Sequence, residues 1–174
     1  YQAMTQYLGF KNYGDEYKIM GLAAYGVPIY FDKILDNLFR NRKEGIFELN
    51  LKYFNHHRYD FQYISNENLV IGQIYNDELL ILFKDEINQH PNKEQFTKDF
   101  ASSVQKVYEF FFKKILNNLI NNNFSKNLVF AGGCALNSSA NRLLTNNKNN
   151  FNKIYIPFAP GDNGGALGSA FVVA

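Results

Sequence analysis

A single cysteine, Cys134, stands among 174 residues, so no disulfide can close within the chain. Zinc spacing is missing too, because His56 and His57 are adjacent and His90 stands alone. Adjacent histidines in a strand point to opposite faces, so His56 and His57 do not converge on one metal and read as structural or surface residues. No apolar run is long enough to span a bilayer and no secretory leader is recognisable, which points to the cytoplasm and away from a membrane partner. Excess charge of one sign is also lacking: 18 basic and 16 acidic residues are mixed along the chain for a net charge of +2. With no basic stripe, nothing argues for nucleic acid. The sequence opens with Tyr1-Gln2 rather than Met, as expected of a fragment cut from a longer protein.

What is present is apolar and aromatic. Hydrophobic residues make up 46% and aromatics 17%, with 17 Phe and 12 Tyr, enough for a real core and against disorder. The length fits one domain of ordinary size or a piece of a larger one. Asparagine tracts at 121–123, 146–147 and 149–150 are short and scattered, and read as base bias rather than as aggregating segments.

Along the chain, residues 1–10 have no clear period and fit a strand and turn or a helix end. In GDEYKIMGLAAYG, residues 14–26, Asp15 is placed to cap a short surface helix with Ile19, Met20, Leu22 and Ala23 as its apolar members and Gly26 as its stop. Ile34, Leu35, Leu38 and Phe39 recur at helical spacing within 29–41. After Gly45, Phe47, Leu49 and Leu51 alternate with polar residues as in a half-buried strand. Residues 66–84 read as a loop and a short helix, and His90-Pro91 breaks the chain. A stripe from Phe96 through Phe100, Val104, Phe111 and Ile115 to Ile120 predicts one long helix over 93–122, packed against a sheet as core. Residues 27–92 thus read as a small inserted subdomain.

Two glycine-rich turns follow, each after a short apolar run and before a helical pattern, which is how an α/β protein presents backbone N–H groups to a phosphate. In the first, residues 128–131 read as a strand buried on both faces, Gly132-Gly133 permits close approach of a ligand, and Asn137 is placed to cap the next helix. Cys134 reads as a small buried packing residue rather than a nucleophile. In the second, Ile154, Ile156 and Phe158 form a strand leading to Gly161-Asp162-Asn163-Gly164-Gly165 and a small-residue helix. Asp162 has two readings from its position, a helix N-cap or a carboxylate ligand to a metal that also touches the phosphate. Both turns are expected to serve one site.

These residues carry a resemblance. GDEYKIMGLAAYG at 14–26 resembles the GEEYKVMGLAxYG segment of O-carbamoyltransferases of the nodulation and antibiotic-tailoring type, and GIFELNLKYF at 45–54 is similar to the region downstream of it. DFASSVQ at 99–105, AGGCALN at 131–137 and PGDNGGALG at 160–168 match the family's later motifs in the same order. The resemblance implies an α/β fold: a ribonuclease-H-like lobe of the actin, sugar-kinase and heat-shock ATPase superfamily, a mixed sheet flanked by helices, related to the threonylcarbamoyladenosine synthases. By motif matching it implies that Gly132, Gly133 and Asn137, with Gly161 and Gly164, contact an ATP-derived nucleotide, that Glu16, Lys18 and Gly21 line its ribose or adenine side, and that Asp162 binds a divalent metal, usually iron. The catalytic base is not named by any motif here.

The chain departs from the family in lacking an HxxxH, the source of the histidine metal ligands. The lobe that would carry it and the C-terminal domain that makes carbamoyl adenylate are also expected elsewhere in the polypeptide. Residues 1–174 then read as a single domain, the second lobe of a longer biosynthetic enzyme and inactive alone. The full protein is expected to move a carbamoyl group from carbamoyl phosphate, through carbamoyl adenylate, to a hydroxyl of a small molecule or sugar. A non-catalytic nucleotide-binding or regulatory module is the alternative, and a sugar-kinase-like phosphotransferase is a third reading.

Overall fold

The computed structural model describes residues 1–40, 47–58, 62–65, 68–122, 125–146 and 151–173. The start of the strand expected after Gly45, and Asn123, Asn147, Asn149 and Asn150 of the asparagine tracts, lie outside the described residues. The chain divides into two compact units, Tyr1–Phe111 and Phe112–Ala174. Residues 27–92 fall wholly within the first.

The described residues form a mixed α/β structure, mostly helical with small sheets. In the first unit these are helices α1 (Gln2–Tyr7), α2 (Glu16–Leu22) and α3 (Phe31–Leu38), hairpin strands β1 (Phe39–Arg40) and β2 (Glu48–Leu49), strands β3 (Gln62–Ser65) and β4 (Asn68–Ile71), and helices α4 (Asp77–Leu82) and α5 (Lys84–Gln89). Helix α6 (Lys93–Asn121) begins here and runs on into the second unit. Strands pair two by two, β1 with β2 and β3 with β4 antiparallel, so the described residues build separate pairs rather than one mixed sheet.

Within residues 1–10, Gln2–Tyr7 form helix α1 with Ala3, Met4 and Thr5 buried, and the chain turns at Gly9 with φ +93°. Residues 68–71 are strand-paired where a loop is expected, since Leu69, Val70 and Ile71 find partners in β3. His56 and His57 sit in a turn after the bridge between Phe54 and Tyr75, with Arg58 Nε donating to His57 Nε2 at 3.1 Å, and not in a strand.

The long helix follows its apolar stripe. Phe96, Phe100, Ala101, Val104, Val107 and Phe111 are all buried against residues of α1, α3 and the 71–83 region. Phe100 meets the rings of Tyr7 and Phe83 at 4.9 Å each, one stacked and one edge-on, geometries that add to the area buried. Polar groups inside this core are satisfied across the sequence. Gln6 donates from Nε2 to the Gly72 carbonyl and accepts the Ile74 N–H at Oε1, both at 2.9 Å. Gly26 is where backbone meets backbone: an ideal Cβ there would lie 2.0 Å from the Lys98 carbonyl oxygen. Asp99 then fixes the next residue, its Oδ1 accepting the Val27 N–H at 2.7 Å and the Gln95 amide at 2.9 Å.

The second unit holds strand β5 (Asn127–Val129), helix α7 (Ser138–Asn146), strand β6 (Lys153–Tyr155) and helix α8 (Gly164–Val173). β5 and β6 are parallel, Leu128 opposite Ile154. Phe112, Leu116, Ala135, Ala140, Leu144 and Phe151 are its buried apolar residues, with the Phe112 and Phe130 rings stacked at 5.2 Å. β5 is not buried on both faces as expected: Val129 is 70% exposed and its neighbour Tyr155 60%, so side chains on one face of the pair meet water. β6 likewise ends at Tyr155, short of Phe158, which is 84% exposed.

Candidate functional site

The two glycine-rich turns lie side by side at the ends of the paired strands. Parallel pairing brings the residues after Val129 and after Tyr155 to the same end, and Phe130 N–H donates to the Tyr155 carbonyl at 3.0 Å. Beyond that point Gly132 N–H donates to the Pro160 carbonyl at 2.7 Å, which joins one bend to the other. Gly132 has φ +98°, a conformation that a Cβ disfavours, so glycine is needed for the amide to point this way. The ideal Cβ of Gly161 would sit 3.5 Å from the Leu136 side chain, ordinary contact between the two bends.

Gly133–Leu136 form a single 3-10 turn, closed by Ala135 N–H to the Gly132 carbonyl at 2.9 Å and Asn137 N–H to the Cys134 carbonyl at 3.2 Å. Asn137 Oδ1 accepts the Ala140 N–H at 3.0 Å, so it caps α7 as its position suggests. In the second bend Gly164 N–H reaches the Gly161 carbonyl at 2.9 Å and Gly165 N–H the Asp162 carbonyl at 3.0 Å. Gly164 is required by space, since a Cβ there would meet the Ala159 carbonyl oxygen at 2.4 Å. Among the described residues the N–H groups of Gly133, Gly161, Asp162 and Asn163 meet no acceptor, leaving four donors on neighbouring bends. Such clustered backbone donors suit an anion with several oxygens.

Residues 131–134 are exposed, so the first bend is open to solvent, and Cys134 is exposed rather than buried packing as expected. Asp162 is exposed, and its carboxylate makes no capping bond among the described residues. No three His, Cys, Asp or Glu side chains gather among the described residues. Asp162 therefore belongs to no group of three such donors among the described residues. Among the described residues no set of donors fits a metal centre without ligands from elsewhere in the polypeptide, and no chemical step is derived through one.

The other expected site residues lie in the first unit, on α2. Lys18 is committed to Asp15, with Nζ 2.6 Å from Oδ1 and 5.5 Å from the centre of the Phe10 ring. That ammonium holds the Asp15 carboxyl below its usual range, and the carboxylate in turn raises Lys18. Asp15 also accepts the Asn12 N–H at 3.1 Å, so it stabilises the turn before α2 and makes no side-chain cap on the helix. Glu16 opens α2 and Gly21 lies exposed near its end, where a Cβ would meet open space.

The geometry also brings in residues that motif reading passes over. Pro160 supplies the carbonyl that ties the bends, and Asn141, four residues after Asn137, returns its side chain to the first bend. The i, i+4 spacing of two asparagines at a helix start is the only signal the sequence offers for the second.

Residues 1–171 match the Carbamoyltransferase N-terminus family. The chain belongs to that family. An uncharacterized protein of Synechocystis sp. is 39% identical over 175 residues, covering 99% of this chain and 26% of the relative. This carbamoyltransferase-family chain therefore spans about a quarter of the length of the curated relative it matches. No helix among its described residues is long and apolar enough to cross a membrane.

Proposed function

We propose that the joined bends form the phosphate-binding wall for an ATP-derived nucleotide in an O-carbamoyltransferase. The observation that carries this reading is the Gly132 to Pro160 hydrogen bond, which sets the open N–H groups of Gly133, Gly161, Asp162 and Asn163 on neighbouring loops of one unit. Family membership over residues 1–171 supports carbamoyl-group transfer as the reaction class. In this reading the chain is part of a ribonuclease-H-like lobe of the actin-like ATPase superfamily, and the rest of the polypeptide supplies a second lobe and an adenylate-forming domain.

In the reaction, water first releases phosphate from carbamoyl phosphate to leave carbamate, and a carbamate oxygen then bonds to the α-phosphorus of ATP as the bond to pyrophosphate breaks, giving carbamoyl adenylate. The acceptor hydroxyl oxygen then bonds to the carbamoyl carbon as the bond to AMP breaks, and the hydroxyl proton passes to a base. Backbone donors fixed beside the adenylate phosphate stabilise the charge left on AMP, because they are oriented before the reaction begins. Gly132 and Gly164 shape the bends, Gly133 and Gly161 present N–H groups, and Asn137 holds the helix start behind them. Glu16, Lys18 and Gly21 at the ribose or adenine side, and Asp162 as one ligand of an iron or other divalent ion, rest on the family resemblance alone.

The test uses the full-length protein with ATP, carbamoyl phosphate and a panel of hydroxyl acceptors. Pyrophosphate release that requires carbamoyl phosphate is expected. Transfer of labelled γ-phosphate to an acceptor would instead identify a phosphotransferase, and nucleotide binding without turnover a regulatory module.

A further inference from the structure

We propose that Asn141 is a positioning residue for the first bend, an inference that rests on the nucleotide-site reading above and assigns a residue to it. Asn141 lies on the first turn of α7, and its Nδ2 donates to the Ala135 carbonyl at 2.8 Å. Ala135 is the buried middle of the Gly133–Leu136 turn, only 3% exposed, so this bond grips the turn from behind its open side. The other end of the same amide is unanswered: Oδ1 is buried and has no hydrogen-bond partner among the described residues. A buried acceptor left unpaired is unfavourable. A leucine of similar shape would avoid that cost and favour the helix. The asparagine is therefore poorly explained by helix stability and well explained by the one thing its Nδ2 does, which is to fix the carbonyl of Ala135.

Fixing that carbonyl matters because of what lies on either side of it. Gly132, three residues before, carries the bond to Pro160, and Gly133 offers an open N–H, while Asn137, two residues after, caps α7. With Asn137 holding the helix to the turn and Asn141 holding the turn to the helix, the Gly133 donor is oriented before any phosphate arrives. Preorganised donors bind more tightly because less freedom is lost on binding.

The experiment compares full-length wild type with Asn141→Leu by amide hydrogen exchange, thermal melting and ATP calorimetry. Expected are at least tenfold faster exchange at the hydrogen-bonded amides of Ala135 and Asn137, ATP affinity at least tenfold weaker, and a Tm within about 3 °C of wild type. Asn141→Ala serves if the leucine variant does not fold, with the same expectations. Unchanged exchange in the turn would overturn the positioning role. Faster exchange with unaltered ATP affinity would overturn its relevance to binding. Wild type that fails to bind ATP at all would refute the nucleotide reading instead, and the exchange comparison would still decide whether Asn141 sets the turn.

Discussion

The backbone amide of Gly132 donates to the carbonyl of Pro160 at 2.7 Å, across 28 residues of sequence that include a helix and a strand. The bond is possible because parallel pairing of β5 and β6 delivers both loops to one end, and because Gly132 adopts φ +98°. The two bends are therefore mechanically one object, and a disturbance in either reaches the other.

Gly132→Ala tests this coupling with little steric interference, since an ideal Cβ meets nothing within 4 Å and the cost is the positive φ alone. A strain of roughly 1–2 kcal/mol is expected. It is relieved by rotating the amide away from Pro160, so ATP affinity of the full-length protein should fall about tenfold while the fold persists. Gly164→Ala adds a collision with the Ala159 carbonyl oxygen at 2.4 Å and should cost more, in the range of about 1–3 kcal/mol typical of overpacking. Calorimetry and denaturant unfolding of both variants check the ranking.

The strongest local signals in the sequence were those carried by periodicity and by glycine. The stripe from Phe96 to Ile120 marks α6 to within one residue of its observed end at Asn121, because a long amphipathic helix repeats its signal many times. The α7 cap by Asn137 was legible for a local reason, since cap and partner are three residues apart. Burial of β5 was not, because whether Val129 is covered depends on what packs over it and not on its own type. The Asn141 clamp was invisible for the same reason: its partner, Ala135, is chosen by the path of the turn. Strands of two to four residues, such as β1 to β4, carry too few alternations to announce themselves.

Gly26→Ala should destabilise the first unit severely. Its Cβ would fall 2.0 Å from the Lys98 carbonyl oxygen, and α6 backbone has no side-chain freedom with which to yield. Separation of the two segments would also stretch the Val27 to Asp99 bond, now 2.7 Å. A loss of about 3 kcal/mol or more is expected, against roughly 1 kcal/mol for Gly14→Ala, where φ is +85° but the space is open. Urea unfolding midpoints at equal m-values would check it.

Tyr7 gives a pH signature. Burial first, and the nearby Glu86 carboxylate second, push its phenol up to about 12 from the ordinary 10.0. A folded-state pKa above the unfolded one means that the neutral phenol is favoured in the native core. Its contribution is complete below pH 10 and is lost as pH rises from there through about 12. Tyr7→Phe removes the titrating group and should flatten that part of the stability profile while leaving the packing on Phe100 in place. An unchanged slope in denaturant midpoints between pH 10 and pH 12 would count against this assignment.

Asp162 separates charge from shape. Its carboxylate is exposed and makes no capping bond among the described residues, so Asp162→Ala should leave melting within about 0.5 kcal/mol of wild type. Turnover of the full-length protein is expected to fall by at least a hundredfold if the carboxylate acts on a metal or on the reacting phosphate. Asp162→Asn is the decisive companion, because asparagine caps a helix as well as aspartate does but carries no charge. Equal loss in both variants identifies the charge as the working feature. Activity retained in Asp162→Asn and lost in Asp162→Ala would instead return Asp162 to the role of an N-cap formed when nucleotide binds, and wild-type turnover in both would remove it from the site altogether.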